Sequence, residues 1–153
     1  MKNRGFEVAH GFEDQDIHLP VRKTKKSAGY DVEAACDTII PPYVFGMKPT
    51  LVETGLKAYM PDDEFLLLAN RSSNPFKKGL VMANSVGIID ADYYGNADND
   101  GAMKFAFYNF GKEELLIHKG EAIGQAIFMK YLKVDNDETT QERCGGFGST
   151  DKK

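Results

Sequence analysis

Apolar residues in this chain recur at every second position, in short runs that turn-forming residues keep interrupting. Ile17, Leu19 and Val21 alternate, as do Val52, Thr54, Leu56, Ala58 and Met60, then Met103, Phe105 and Phe107, then Ile123, Gln125, Ile127 and Met129. A period of two gives a strand one apolar face, which can be buried only against another layer. Pro41-Pro42, Pro61-Asp62-Asp63, the Asn- and Asp-rich segment 96–101 and Lys119-Gly120 separate the runs. Many short strands divided by such breaks predict an all-β barrel or double-sheet roll. The longest apolar run, residues 65–69, reads as a buried strand and is far too short to span a bilayer. Helix is expected only at Ser73-Asn74-Pro75-Phe76-Lys77-Lys78-Gly79, where Ser73 or Asn74 can cap, Pro75 suits the first turn and Gly79 can stop it.

With 153 residues the chain makes one domain with a real core. Residues 1–134 are expected to form that β core. Residues 135–153 are expected to form a flexible arm, because the spacer 135–142 has little to bury. A net charge of −4 argues against broad contact with nucleic acid or an anionic membrane. An anionic ligand therefore has to be met by a local group of donors. The charged N-terminus has no apolar signal core behind it, and Cys36 and Cys144 lack metal-ligand spacing. A soluble cytoplasmic protein with free thiols is the expectation.

Several polar groupings carry chemistry, each beside a plainer use. Arg143-Cys144-Gly145-Gly146-Phe147-Gly148-Ser149-Thr150 is either a Gly-rich end or a strap. In the second case its guanidinium forks phosphate oxygens, its ring stacks on a base and its glycines open backbone N–H groups to an anion. Asp90, in Gly87-Ile88-Ile89-Asp90-Ala91-Asp92-Tyr93-Tyr94-Gly95, reads as part of a tight hairpin. There it bonds its own turn or takes a proton from water. Arg71-Ser72-Ser73 at the helix start is an ordinary cap or an anion site, and it lacks the Gly-Lys-Ser/Thr ending of a P-loop. Gln125 is a core amide or a phosphate donor, and Asp31 pairs locally or holds water around a divalent cation. Segment 96–101 imitates half of an EF-hand loop, but Phe107 stands where the bidentate Glu belongs, so it is read as a solvated turn.

Taken in order, these pieces resemble the five motifs of the homotrimeric dUTPases. Ala28-Gly29-Tyr30-Asp31-Val32-Glu33-Ala34 is similar to the first, Arg71-Ser72-Ser73 with Lys77 and Gly79 to the second, and residues 84–95 to the third. Lys119-Gly120-Glu121-Ala122-Ile123-Gly124-Gln125 is similar to the fourth and residues 143–150 to the fifth. The resemblance implies a jelly-roll-like fold of the β-clip type that trimerises and builds each active site from three subunits. Asp90 would activate the water that attacks the α-phosphorus of dUTP, giving dUMP and pyrophosphate. Asn84, with main-chain groups of Gly87, Ile88, Ile89 and Lys104, would read the base edge, and Tyr93 would exclude a ribose 2′-hydroxyl. Arg71, Ser72, Ser73 and Gln125 would hold the phosphates. From another subunit's arm, Phe147 would stack on uracil while Arg143, Gly148, Ser149 and Thr150 contact the phosphate chain. Mg²⁺ would ride on the triphosphate, touching Asp31 only through water.

Asp151 stands where the family commonly has glycine, and Arg143 lies one residue closer to Phe147 than in many members. The loop 96–101 is longer than in short cellular members, as in phage enzymes of the family. The related dCTP deaminases need a glutamate where this chain aligns Ala106, which can move no proton. By analogy with some phage relatives, a nucleotide-dependent regulatory protein partner is a further expectation.

Overall fold

The structure is a computed structural model that describes residues 2–146 and Asp151. Eleven strands and one short helix follow in the order β1 (Gly5–Val8), β2 (Tyr30–Glu33), β3 (Thr38–Ile40), β4 (Thr50–Glu53), β5 (Leu56–Tyr59), β6 (Glu64–Asn70), α1 (Ser73–Lys78), β7 (Leu80–Met82), β8 (Gly87–Asp90), β9 (Lys104–Asn109), β10 (Leu115–Ile117) and β11 (Ala122–Lys130). They assemble a four-stranded sheet β2-β11-β6-β8, a three-stranded sheet β4-β9-β7, and the pairs β1-β5 and β3-β10. Every one of these ladders is antiparallel. The all-β architecture expected from the alternating runs is therefore present, in the jelly-roll-like form that the resemblance implies.

The core lies between the two larger sheets. Leu66 and Leu68 of β6 and Phe105 and Phe107 of β9 are fully buried, joined by Val32, Val52, Leu80 and Ile123. The two phenylalanine rings stack with centroids 5.8 Å apart. Gly124 makes room for them: a Cβ there would lie 2.3 Å from Phe105 Cε1 and 3.0 Å from the Ala69 carbonyl oxygen. The ring can rotate but the paired backbone cannot retreat. Gly124→Ala is expected to lower stability by about 1–3 kcal/mol through overpacking, visible as a reduced denaturant midpoint.

Four local expectations are corrected. Ile17, Leu19 and Val21 form no strand; Pro20 removes a ladder donor, and Leu19 and Val21 remain exposed beside a single bridge from Val21 to Asp31. The run from Val52 to Met60 is two strands, broken at Thr54-Gly55, where Gly55 takes a φ of 69°. The stretch 65–69 is buried on one face only, since Phe65, Leu67 and Ala69 point outward. The segment Gly87 to Gly95 belongs to no tight hairpin: β8 pairs with β6, while the next strand, β9, pairs with β4 and β7. A 3₁₀ turn, Ala91–Tyr93, and the loop after it carry the chain from one sheet to the other.

A bulge in β11 positions the site. Pairing with β2 shifts between Ala122 and Gly124, so Ile123 and Gly124 are both buried, and the later residues change phase. Ala126 then faces the core, while Gln125, Ile127 and Met129 face outward. The outer face of the sheet thus carries three rows: Asp31, Gln125 and Ala69; Ile127, Leu67 and Ile88; Met129, Phe65 and Asp90.

Candidate active site

Asp90 closes β8 opposite Phe65 in extended conformation and opens the 3₁₀ turn directly after it. That placement leaves its carboxylate at the surface, with 53% of the side chain exposed. Beside it is a cavity of about 210 Å³. Asn84, Gly87, Ile88, Ile89, Asp90, Tyr93, Lys104 and Arg143 all line it, together with Met103 and Gly146. In this wall β8 is the edge strand of its sheet, and Gly87 packs so closely that a Cβ there would lie 3.0 Å from Leu68 Cβ. A neighbouring groove of about 650 Å³ shares Ile88, Asp90 and Arg143. It adds Asp62, Asp92 and Glu142 against Lys133, a balance that does not attract a polyanion.

Arg143 and Lys104 are the two cations that line the pocket, and Arg143 is the one bonded to Asp90. Its Nη2 donates to Asp90 Oδ2 at 2.5 Å, its Nε to Asp92 Oδ1 at 2.7 Å and its Nη1 to the Gly145 carbonyl at 2.9 Å. Its guanidinium carbon lies 5.9 Å from the Tyr93 ring centre. The bond to Asp92, and the charges of Asp92 and Asp90, hold the guanidinium above its ordinary pKa. Gly146 follows close enough to Tyr93 that a Cβ would sit 2.8 Å from the ring. The start of the fifth motif therefore packs on Asp90, Asp92 and Tyr93 of its own chain. Phe147, Gly148, Ser149 and Thr150 lie outside the described residues.

The remaining predicted residues gather at the other end of the same sheet face. Asp31 pairs with Gln125, which pairs with Ala69; Arg71, Ser72 and Ser73 follow directly after β6. Gln125 Nε2 donates to the Asn70 carbonyl at 3.1 Å, and Gly29 leaves space for that amide, since a Cβ would lie 2.1 Å from Gln125 Oε1. Arg71 Nη1 donates to the Ala122 carbonyl at 3.2 Å. Ser72 precedes α1 without a capping bond from its side chain. Lys23 Nζ stands 3.8 Å from Asp31. Sequence reasoning missed the scaffold beneath these groups. Asn70 Oδ1 accepts from the Arg71 N–H and from Asn74 Nδ2, whose second bond goes to the Ile123 carbonyl. Two asparagines four apart around Arg-Ser-Ser were the available signal.

The two ends do not meet within one chain. Four residues of β6 separate their rows, about 13 Å, and β11 and β8 lie on opposite sides of β6, about 10 Å apart. Between them lie Leu67, Ile127 and Ile88, an apolar stretch with Ile88 54% exposed.

The family model described as dUTPase matches residues 15–151. The chain belongs to the dUTPase family. It is 51% identical over 152 residues to the deoxyuridine 5'-triphosphate nucleotidohydrolase of Lactococcus lactis subsp. lactis (strain IL1403), covering 98% of this chain and 99% of that protein. It is 38% identical over 138 residues to the protein of the same description from Rickettsia typhi (strain ATCC VR-144 / Wilmington), covering 87% of this chain and 88% of that one. Among solved structures, the dUTPase from Streptococcus mutans superposes with a TM-score of 0.80 at 42% identity, covering 86% of this chain and 99% of that one.

One part of this dUTPase chain is more ordered than its sequence suggested. The loop 96–101, read as a solvated turn, buries Asn96, Gly101 and the following Ala102. Asp100 fastens it, accepting from Lys57 Nζ at 2.7 Å and from the His10 N–H at 3.0 Å. The Lys57 bond first, then the His10 N–H, holds the Asp100 carboxyl below its ordinary pKa. A lowered folded-state value contributes stability that is present above the unfolded value of about 3.9 and is lost as pH falls through the folded one. The melting-temperature gap between the parent chain and Asp100→Asn is therefore expected to shrink below about pH 4. Thermal melts between pH 7 and 3 measure it.

Proposed function

We propose that the chain hydrolyses dUTP to dUMP and pyrophosphate, with Asp90 as the general base. The observation that carries the mechanism is the exposed Asp90 carboxylate at a small cavity lined by the residues of β8 and by Tyr93. Phosphoryl transfer depends on positioning and charge stabilisation, which this donor-rich set of residues can supply. Asn84 and the main chain of Gly87, Ile88, Ile89 and Lys104 read the base. A slot formed by backbone rejects the thymine methyl by contact, where attraction alone separates one methyl by only about 1–3 kcal/mol. Tyr93 lies under the deoxyribose.

Arg71, Ser72, Ser73 and Gln125 hold the phosphates from a second chain, because no single chain brings them to Asp90. The apolar rows between the two ends suit an interface between copies, and a head-to-tail contact that closes after three copies gives a homotrimer. The arm supplies Phe147 to the base and Arg143, Gly148, Ser149 and Thr150 to the phosphate chain. In the free chain Arg143 neutralises Asp90; an arriving triphosphate draws the guanidinium away and leaves the carboxylate to accept a proton from water. Residues 1–134 act as the core and 135–153 as the arm.

Among the described residues no three His, Cys, Asp or Glu side chains are grouped to hold a metal. One half-buried carboxylate, Asp31, beside Gln125 fits a Mg²⁺ carried by the phosphates and reached through water. Such an ion would add charge neutralisation at the triphosphate. Among the described residues no helix is long and apolar enough to cross a membrane, and free nucleotide in the cytoplasm is the proposed substrate pool.

Pyrophosphate release across dUTP, dTTP, dCTP and UTP tests the assignment. Turnover confined to dUTP is expected. Equal turnover of dTTP, or ammonia released from dCTP, overturns it.

A further inference from the structure

We propose that Asn99 is a positioning residue that fixes the ring of Tyr93 and thereby sets the discrimination between deoxyribose and ribose. The inference rests on the proposed role of Tyr93 as the sugar-facing wall. Asn99 Nδ2 donates to Tyr93 Oη at 2.6 Å. The ring is thus held at both ends, by the 3₁₀ turn at its backbone and by an amide at its hydroxyl. Asn99 is itself fixed, since its Oδ1 accepts from Asn96 Nδ2 and from the Gly101 N–H, both at 3.0 Å.

The loop around it is equally constrained. Asn96 N–H donates to the Tyr93 carbonyl at 3.1 Å, and Asp100 N–H to the Asn96 carbonyl at 2.7 Å. Gly101 takes a φ of 83° with its Cα so near the turn that a Cβ would lie 2.5 Å from the Tyr93 carbonyl oxygen. Lys57 and the His10 N–H then anchor Asp100 to the body of the fold. Tyr93 cannot tilt without breaking a bond that a fastened loop holds in place. A hydroxyl group is excluded by contact, so a ring free to tilt by a few tenths of an ångström admits it more readily.

The test is a double-mutant cycle read as a ratio. kcat/KM is measured for dUTP and UTP in the parent chain, Asn99→Ala, Tyr93→Phe and the double variant. Each single variant is expected to lower the dUTP-to-UTP ratio by about fivefold to tenfold, and the double variant by no more than either single. A loss of folding lowers both activities together and leaves the ratio alone. Should Asn99→Ala fold poorly, Tyr93→Phe breaks the same bond from the other side, and Asp100→Ala loosens the loop without touching Tyr93; both are expected to lower the ratio. A ratio unchanged in Asn99→Ala and Tyr93→Phe, or effects that multiply in the double variant, overturn the proposal. If the parent chain fails to hydrolyse dUTP, it is the role of the pocket that fails.

Discussion

Asp90→Asn is expected to cut dUTP turnover by at least about 10²-fold while nucleotide binding survives. The amide keeps the shape of the side chain and its place opposite Phe65, but cannot take a proton from water. In the free chain Asp90 accepts from Arg143, whose other bonds run to Asp92 and the Gly145 carbonyl. An asparagine keeps an oxygen for Arg143 in the free chain, and in the proposed complex the guanidinium has left this side chain for the phosphates. Affinity for a non-hydrolysable dUTP analogue should therefore stay within a few-fold of the parent. Turnover near the parent level would make Asp90 a turn residue only.

The second large effect is recovery rather than loss. Asp90→Asn and Arg71→Ala lie at opposite ends of one sheet face, too far apart to serve a common phosphate group within one chain. Each variant alone is expected to lose about 10²-fold in rate, Asp90 for the proton and Arg71 for phosphate charge. If Asp90 and Arg71 of each site come from different subunits, mixed trimers regain intact sites. With equal mixing each partner supplies the right residue half the time, so about a quarter of parent activity should return after co-refolding. Sites contained within single chains would show no recovery, because every chain carries a lesion. The two variants are unfolded and refolded together, so that any assembly forms from a random mixture of both chains.

Much of this arrangement was readable in the sequence. Alternation placed β9 and β11, the apolar run 65–69 placed β6, and Gly79, as expected, ends the helix in the left-handed conformation. Periodicity reports which residues share a face, but not which strand lies alongside. For that reason the sequence of β8 reads as part of a hairpin although the strand pairs with β6. Nor does it report a bulge, and the one between Ala122 and Gly124 decides that Gln125 faces outward beside Asp31 and Ala69. Thr54-Gly55 hid inside a regular alternation because Thr54 is itself buried, its hydroxyl donating to the Met103 carbonyl at 2.7 Å. Loop 96–101 looked solvated because its residues are polar. Its burial depends on Lys57 and His10, which lie far away in sequence. The chemical assignments came from the ordered resemblance to the dUTPases, since Asp90 or Gln125 taken singly fits a structural role as well.

The central claim is that water, deprotonated by Asp90, attacks the α-phosphorus of dUTP. Hydrolysis in water enriched in heavy oxygen, followed by mass spectrometry of both products, tests it directly. One labelled oxygen in dUMP and none in pyrophosphate, from the first turnover onward, is the predicted result. Label in pyrophosphate, or a first turnover that leaves dUMP unlabelled, would contradict it.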